Sequence, residues 1–165
     1  MEFNHIPVLL NESVDNLVLK SDGIYVDGTI GGGGHSSEIL TRLGRGGRLI
    51  GIDRDETALS AAEEKLHEYK DRVILAHANF SSIKQVLHQN GIEGVDGVLL
   101  DLGVSSPQLD DCSRGFSYMQ DAPLDMRMDR TSDLTASYII NNYSVQELRN
   151  IIYGYGEERW APRIA

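Results

Sequence analysis

The sequence predicts an α/β fold in which a doubly wound, mostly parallel sheet carries helices on both faces. Short apolar β-type segments alternate with amphipathic helical segments from residue 8 to residue 102. Strands that alternate with such helices pair in parallel through right-handed crossovers. Four successive glycines, residues 31–34, follow the first strand and open a helix. This fold binds ligands at the carboxyl ends of its strands, which is where these glycines fall.

Four strands are predicted, at residues 23–27, 47–55, 72–78 and 97–102. Each is a short apolar run of the kind that a sheet buried on both faces requires. The second run ends in the carboxylates Asp53 and Asp55.

Four helices are predicted around these strands, at residues 8–19, 35–43, 56–69 and 83–89. In each, apolar residues recur at the spacing that places them on one face of a helix. The predicted inward residues are Val14, Leu17 and Val18; Ile39, Leu40 and Leu43; Leu59, Ala62 and Leu66; and Ile83, Val86 and Leu87.

Polar and glycine residues at the helix ends predict the caps. Side-chain oxygens of Ser, Asp and Asn accept hydrogen bonds from the first helical amides, and glycine commonly ends a helix in the left-handed conformation. The predicted caps are Asn11 or Ser13 for the first helix, Gly44 at the end of the second, Asp55 for the third, and Ser81-Ser82 with Asn90-Gly91 for the fourth.

The alternation of strands and helices ends after the fourth strand. Residues 105–133 form a polar stretch too long for an ordinary connection, which indicates a functional segment or the entry to a subdomain. Helices follow at 134–141 and 145–153, the second after a capping box of Ser144 and Glu147. The predicted domains are therefore a core over residues 1–105 and the start of a helical insertion over residues 106–165.

Composition indicates one ordinary globular core, with 41% hydrophobic and 24% charged residues. The N-terminus lacks the pattern of a secretion signal and no apolar run reaches membrane-spanning length, so we expect a cytoplasmic protein without a membrane partner. Cys112 permits no internal disulfide, and the histidines lack a clustered ligand pattern, so no metal site is predicted.

The net charge of −10 argues against a nucleic-acid partner, because proteins that bind phosphates usually carry a basic surface. Charge can be segregated, however. Arg42, Arg45 and Arg48 cluster near one turn, and Arg127 and Arg130 lie in a later loop, although a solvated surface is the ordinary interpretation of each.

Polar residues stand at the exits of all four predicted strands. Asp27 ends the first strand, Asp53 the second, Asn79-Phe80 follow the third, and Asp101 lies at the end of the fourth. A core alone does not select Asp and Gly at the strand exits, because buried strands need apolar residues. The pattern predicts a ligand crevice at this edge of the sheet.

Asp27 favours a cationic ligand, because an acid directly before the glycines repels a pyrophosphate. S-adenosylmethionine carries a sulfonium and an ammonium group, and amides at the helix N-terminus can face its carboxylate. Asp53 is assigned to the ribose hydroxyls, and Asp55 to the helix cap. Alternatives remain: Asp27 only braces the glycine turn, Phe80 is a core aromatic rather than a face for adenine, and Asp101 only caps a turn.

Several longer motifs in this order resemble a known family. They occupy residues 5–12, 27–36, 101–110, 114–118 with 123–129, and 155–161. Together they resemble the bacterial methyltransferases that modify cytosine N4 in small-subunit (16S) ribosomal RNA, and the resemblance spans essentially the whole chain.

The resemblance implies a Rossmann-like sheet of the class I methyltransferase type with a helical insertion. It implies S-adenosylmethionine as methyl donor and small-subunit ribosomal RNA, or the assembled small subunit, as partner. It also implies that the donor is held by Gly33, Gly34, His35, Asp53, Phe80, Asp101 and Gln108.

The acceptor chemistry suggests the catalytic residues. A cytosine amino group becomes nucleophilic when a hydrogen-bond acceptor pulls on its N–H while the methyl group is held in line. Ser105 and the carbonyls of residues 104–107 are the first candidates, and Asp101 is a second. An unpaired or flipped base would stack on Phe116, Tyr118 or Phe80.

Three other functions remain open on sequence alone. They are an amino-group methyltransferase for DNA or a small amine, an NAD-dependent dehydrogenase, and a catalytically silent donor-binding module. Asp53 suits the dehydrogenase equally well, but Asp27 does not. The sequence further predicts a longer natural chain. Residues 157–165 have the pattern of the start of another helix, and without further strands beyond it the fourth strand would be an open sheet edge.

Overall fold

The computed structural model describes residues 7–165, which divide into two compact units, one running to Ser106 and the other from Pro107 to Ala165. The motif at residues 5–12 lies partly outside the described residues. Among residues 7–165, no helix combines the length and apolarity needed to cross a bilayer.

The first unit contains a four-stranded parallel sheet in the order β3-β2-β1-β4. Its strands are β1 Ile24–Asp27, β2 Arg48–Asp53, β3 Val73–His77 and β4 Gly97–Leu99. The strand order reverses between β1 and β4, which is the switch point where doubly wound sheets open a crevice. The predicted α/β class and parallel pairing are confirmed.

Helices cover both faces of this sheet. They are α1 Leu10–Leu17, α2 Gly34–Arg42, α3 Glu56–Lys65 and α4 Ile83–Gln89, with 3₁₀ turns at His67–Tyr69 and Phe80–Ser82. One core cluster joins the α1, α2 and α3 side chains to the sheet through Val14, Ile39 and Ala62. The other cluster lies against α4 and includes Ile50 and Val86. The predicted apolar helix faces are thus the core faces.

Two of the predicted N-caps are wrong. The residue before α1 is Leu9, at φ 52°, and no side chain caps this helix, so neither Asn11 nor Ser13 does so. Ser82 makes no capping bond before α4. Asn79, one turn earlier, accepts a hydrogen bond from the Ser81 amide instead, because the chain enters α4 through a 3₁₀ turn.

Gly44 does not supply the predicted left-handed cap. The helix already ends at Arg42, and Leu43 is extended at φ −80° and ψ 138°. The Gly44 amide donates to Ser21 O at 2.8 Å, so the chain turns away from the helix at this position. By contrast, Asp55 caps α3 by accepting from the Thr57 amide at 3.0 Å, as predicted.

Over the described residues, the second unit contains short helices joined by irregular segments and no strand. It includes all of α5 Ser106–Asp110 except its first residue. It also contains a 3₁₀ turn at Cys112–Arg114, α6 Ala136–Asn142, α7 Val145–Gly154 and α8 Ala161–Ile164. The predicted capping box of Ser144 and Glu147 is confirmed. Side chains organise the backbone of the stretch 105–133, for which the sequence predicted a functional segment or the entry to a subdomain.

Arg114 and Arg127 provide that organisation. Arg114 is buried, and its Nη2 donates to the carbonyls of Arg127 at 3.1 Å and Met128 at 2.9 Å. The Arg127 guanidinium binds both carboxylate oxygens of Asp125, at 2.9 and 2.7 Å. This bidentate bond lowers the pKa of Asp125 to about 2.

Candidate functional site

The turn after β1 is built from glycines that adopt conformations other residues avoid. Gly31 and Gly33 lie in the left-handed region, at φ 50° and 77°. The Gly33 amide donates to Ile30 O at 2.8 Å, and the Ile30 amide donates to Ile52 O at 3.1 Å. The turn is therefore fixed to the end of β2 before α2 begins.

The first amides of α2 point out of this turn. The N–H groups at a helix N-terminus, here Gly34 and His35, have no intrahelical partner because their acceptors would precede the helix. These donors and the helix dipole favour a carboxylate or another anionic group in front of them.

Asp27 lies beneath the turn and is only 1% exposed. Its Oδ2 accepts from Ser36 Oγ at 2.7 Å, and its Oδ1 accepts from the Thr29 amide at 3.2 Å. Burial raises the pKa of Asp27 to about 6, although both hydrogen bonds favour its ionised form. These contacts give Asp27 the bracing role, while direct contact with the donor remains a prediction.

Asp53 also binds the turn. Its Oδ2 accepts from the Gly31 amide at 2.9 Å, and its Oδ1 accepts from the Asp55 amide at 3.0 Å. Each carboxylate oxygen has a second lone pair, so the half-buried side chain retains acceptor capacity for hydroxyl groups. Its role toward ribose remains a prediction.

His35 and Asp101 bring α2 close to the exit of β4. His35 is buried, and its Nε2 lies 3.2 Å from Val8 O. The Val8 carbonyl can only accept from this nitrogen, and Nδ1 faces Asp101 Oδ2 at 4.0 Å. The Asp101 carboxylate is half exposed, and its amide donates to Thr29 Oγ1 at 2.7 Å.

The remaining predicted residues lie at the rim or in the second unit. Phe80 follows β3 and is 38% exposed, so its ring is not a core aromatic. Ser105 is half-buried near the end of the first unit. Gln108 is buried on α5, in the second unit, and Tyr118 of that unit is 95% exposed. The catalytic and donor-binding roles of these residues remain predictions.

Two members of the predicted arginine clusters are paired with acids. Arg42 binds Asp15 and Glu38, and Arg127 binds Asp125. Their charge is therefore largely neutralised locally. Among residues 7–165, no group of three His, Cys, Asp or Glu side chains is placed to hold a metal ion.

Comparison with known proteins identifies the family. The sequence model of the MraW methylase family matches residues 2–165. The chain belongs to the MraW methylase family.

Curated relatives of this MraW-family chain are named ribosomal RNA small subunit methyltransferase H. One from Acetivibrio thermocellus is 59% identical over 167 residues, one from Clostridioides difficile is 55% identical over 165 residues, and one from Clostridium botulinum is 56% identical over 165 residues. Each alignment covers 100% of this chain and 53% of the relative. The chain spans about half the length of these relatives.

Two hydrogen bonds at this site of the MraW-family chain were not predicted from the sequence. Ser36 was given no role of its own, yet its hydroxyl binds Asp27. Thr29 was not singled out, although it contacts both Asp27 and Asp101. Ser36 lies nine positions after Asp27, and the Thr29–Asp101 bond joins residues 72 positions apart, so neither contact leaves a local signal.

Proposed function

We propose that this chain forms the donor-binding part of an S-adenosylmethionine-dependent methyltransferase that acts on the N4 amino group of a cytosine in small-subunit ribosomal RNA. The observation that carries the proposal is the convergence of Asp27, the glycine turn, Asp53 and Asp101 at one switch point. Membership of the MraW methylase family and the names of its relatives support the reaction and the RNA substrate. The proposed place of action is the cytoplasm.

The residues present fit this donor. Left-handed Gly31 and Gly33 leave the turn open to close approach, and the Gly34 and His35 amides suit the donor carboxylate. The carboxylates of Asp27 and Asp101 suit its cationic groups. Asp53 has acceptors for ribose hydroxyls, and the partly exposed Phe80 ring offers a face for adenine. Gln108 is proposed as a further contact on family resemblance alone.

When bound, S-adenosylmethionine supplies an electrophilic methyl group on a sulfonium. The protein must then orient the cytosine amino group and increase its nucleophilicity, because its lone pair is delocalised into the ring. Ser105 and the backbone carbonyls of residues 104–107 are proposed to accept a hydrogen bond from this amino group, with Asp101 as the second candidate. Phe116, Tyr118 or Phe80 is proposed to stack on the flipped base.

An NAD-dependent dehydrogenase is a poorer fit, because Asp27 lies beneath the turn where that family binds a pyrophosphate. Isothermal titration of the natural full-length protein with S-adenosylmethionine and with NAD separates these functions. Transfer of labelled methyl groups to small ribosomal subunits then separates an enzyme from a silent binding module. Binding of NAD alone, or donor binding without transfer to ribosomal RNA, would contradict the proposal.

A further inference from the structure

The hydroxyl of Thr29 occupies the position where the pairing of β1 with β4 ends. The paired residues run as far as Asp27 opposite Leu99, and the Gly28 amide still donates to Leu99 O at 2.9 Å. Two residues further on, the Asp101 amide donates to Thr29 Oγ1 at 2.7 Å rather than to a backbone carbonyl. A side chain thus replaces the backbone as the partner of the β4 exit.

The two exits are also packed closely at this point. A Cβ on Gly28 would lie 2.6 Å from Leu100 Cδ2 and 3.2 Å from Phe80 Cβ. The Leu100 side chain, next to Asp101, therefore lies directly on Gly28, so a shift of the β4 exit would be felt by the residues around the crevice.

Thr29 is itself anchored by Asp27. Its amide donates to Asp27 Oδ1 at 3.2 Å, and Asp27 is anchored to α2 through Ser36 Oγ at 2.7 Å. The chain of contacts runs from α2 through Asp27 and Thr29 to Asp101. It ends at the Asp101 backbone amide, and the Asp101 carboxylate lies 4.0 Å from His35 Nδ1.

We propose that Thr29 is a positioning residue that holds the β4 exit, and with it the Asp101 carboxylate, in the geometry used for donor binding. Its hydroxyl oxygen is the required group, because only an acceptor can satisfy the Asp101 amide. The expected effect on donor binding rests on the proposed function, but the role of the Thr29–Asp101 hydrogen bond can be tested without it.

The test compares Thr29→Val with Thr29→Ser in the natural full-length protein. Valine keeps the shape of threonine and removes the acceptor, whereas serine keeps the acceptor. In T29V we expect hydrogen exchange to quicken in peptides covering residues 100–104 but not in peptides covering β1, with a Kd for S-adenosylmethionine that rises about three- to tenfold, the range for one neutral hydrogen bond. T29S is expected to match the wild type in both measurements.

Thr41→Val is the matched control, since it removes a threonine hydroxyl that only donates to Glu38 O on the exposed side of α2. It should leave both readouts unchanged. Wild-type exchange at residues 100–104 in T29V, or quickened exchange there in a folded T29S, would overturn the positioning role. If the wild type does not bind S-adenosylmethionine, the proposed function fails, and the exchange pattern still decides the role of Thr29.

Discussion

Asp27 is buried in a position that disfavours its ionised form. It is fully buried, and its two hydrogen bonds do not offset the loss of water around the charge, so its pKa rises to about 6. A cation bound above it would restore favourable interactions for the ionised carboxylate. The same residue therefore braces the turn and prepares the crevice for positive charge.

The pH dependence of the free energy of unfolding should show the cost of ionising buried Asp27. A carboxyl whose pKa is higher in the folded than in the unfolded state favours folding at low pH, and this contribution is lost as pH rises from about 3.8 through about 6. The difference corresponds to about 3 kcal/mol. Urea unfolding between pH 4 and 7 should therefore show Asp27→Asn gaining up to this amount relative to wild type.

Ser37→Ala is the comparison variant for that series, because it alters α2 next to Ser36 without touching Asp27. It should follow the wild-type pH profile. Parallel profiles for Asp27→Asn and wild type would show that Asp27 titrates normally in the folded protein.

Donor affinity should depend on Asp53. Its carboxylate binds the Gly31 amide and retains acceptors for ribose, so Asp53→Ala should weaken S-adenosylmethionine binding by roughly 1.5–3 kcal/mol, the range for hydrogen bonds to a charged group. Titration calorimetry measures this change. Glu63→Ala removes the same charge from the exposed side of α3 and should bind normally. Unchanged affinity in Asp53→Ala, with the fold intact, would remove Asp53 from the site.

At the scale of elements, local patterns predicted more than long-range contacts. The strands, the core faces of α2 and α3 and the Asp55 cap depend on residues within one or two turns of each other, so the sequence contains their signals. The end of α2 was predicted wrongly because Gly44 was given the capping role. Arg72, 28 to 32 positions further along the chain, donates to Leu40 O in α2 and to Leu43 O and Gly44 O just after it.

In the candidate site, too, the positions of residues were predictable and their long-range hydrogen bonds were not. Asp27, Asp53 and Asp101 were predictable, since each follows an apolar strand and parallel strands bring their exits together. Their hydrogen bonds to the turn were not, because a carboxylate at a strand exit has several local amides within reach. The Gly31–Asp53 bond, between residues 22 positions apart, emerges only when the strands are paired.

The contacts of Arg72 predict a measurable contribution to stability. Its guanidinium donates to Leu43 O at 3.2 Å and Gly44 O at 2.8 Å, and it lies 5.2 Å from the Tyr69 ring. Arg72→Ala removes the guanidinium donor from both carbonyls, of which Gly44 O keeps the Gly47 amide, and should lower the free energy of unfolding by about 1–3 kcal/mol. Chemical denaturation measures the loss. Arg45→Ala, an exposed neighbour, should change stability by less than about 0.5 kcal/mol, and an equal effect of the two variants would contradict the capping role.

At the scale of the whole molecule, the crevice and the sheet edge lie side by side. β4 is the strand that completes the switch point and is also an edge of the described sheet. Apolar side chains along and beyond it are exposed: Val98, Leu100, Leu102 and Val104 are 43%, 42%, 66% and 44% accessible. Four apolar residues in succession at alternate positions form the kind of edge that pairs with another chain.

The isolated 165-residue chain should therefore self-associate through β4. Light scattering should detect dimers or larger species that increase with concentration, and methyl transfer by this species should be weak, since pairing at β4 constrains the adjoining Asp101. Val98→Lys places a charge on the edge strand and should shift the population toward monomer. Tyr155→Lys, which replaces a 90% exposed aromatic in the second unit, should not. A monodisperse wild-type monomer with full activity would refute the association, and equal effects of the two lysine variants would place it elsewhere than at β4.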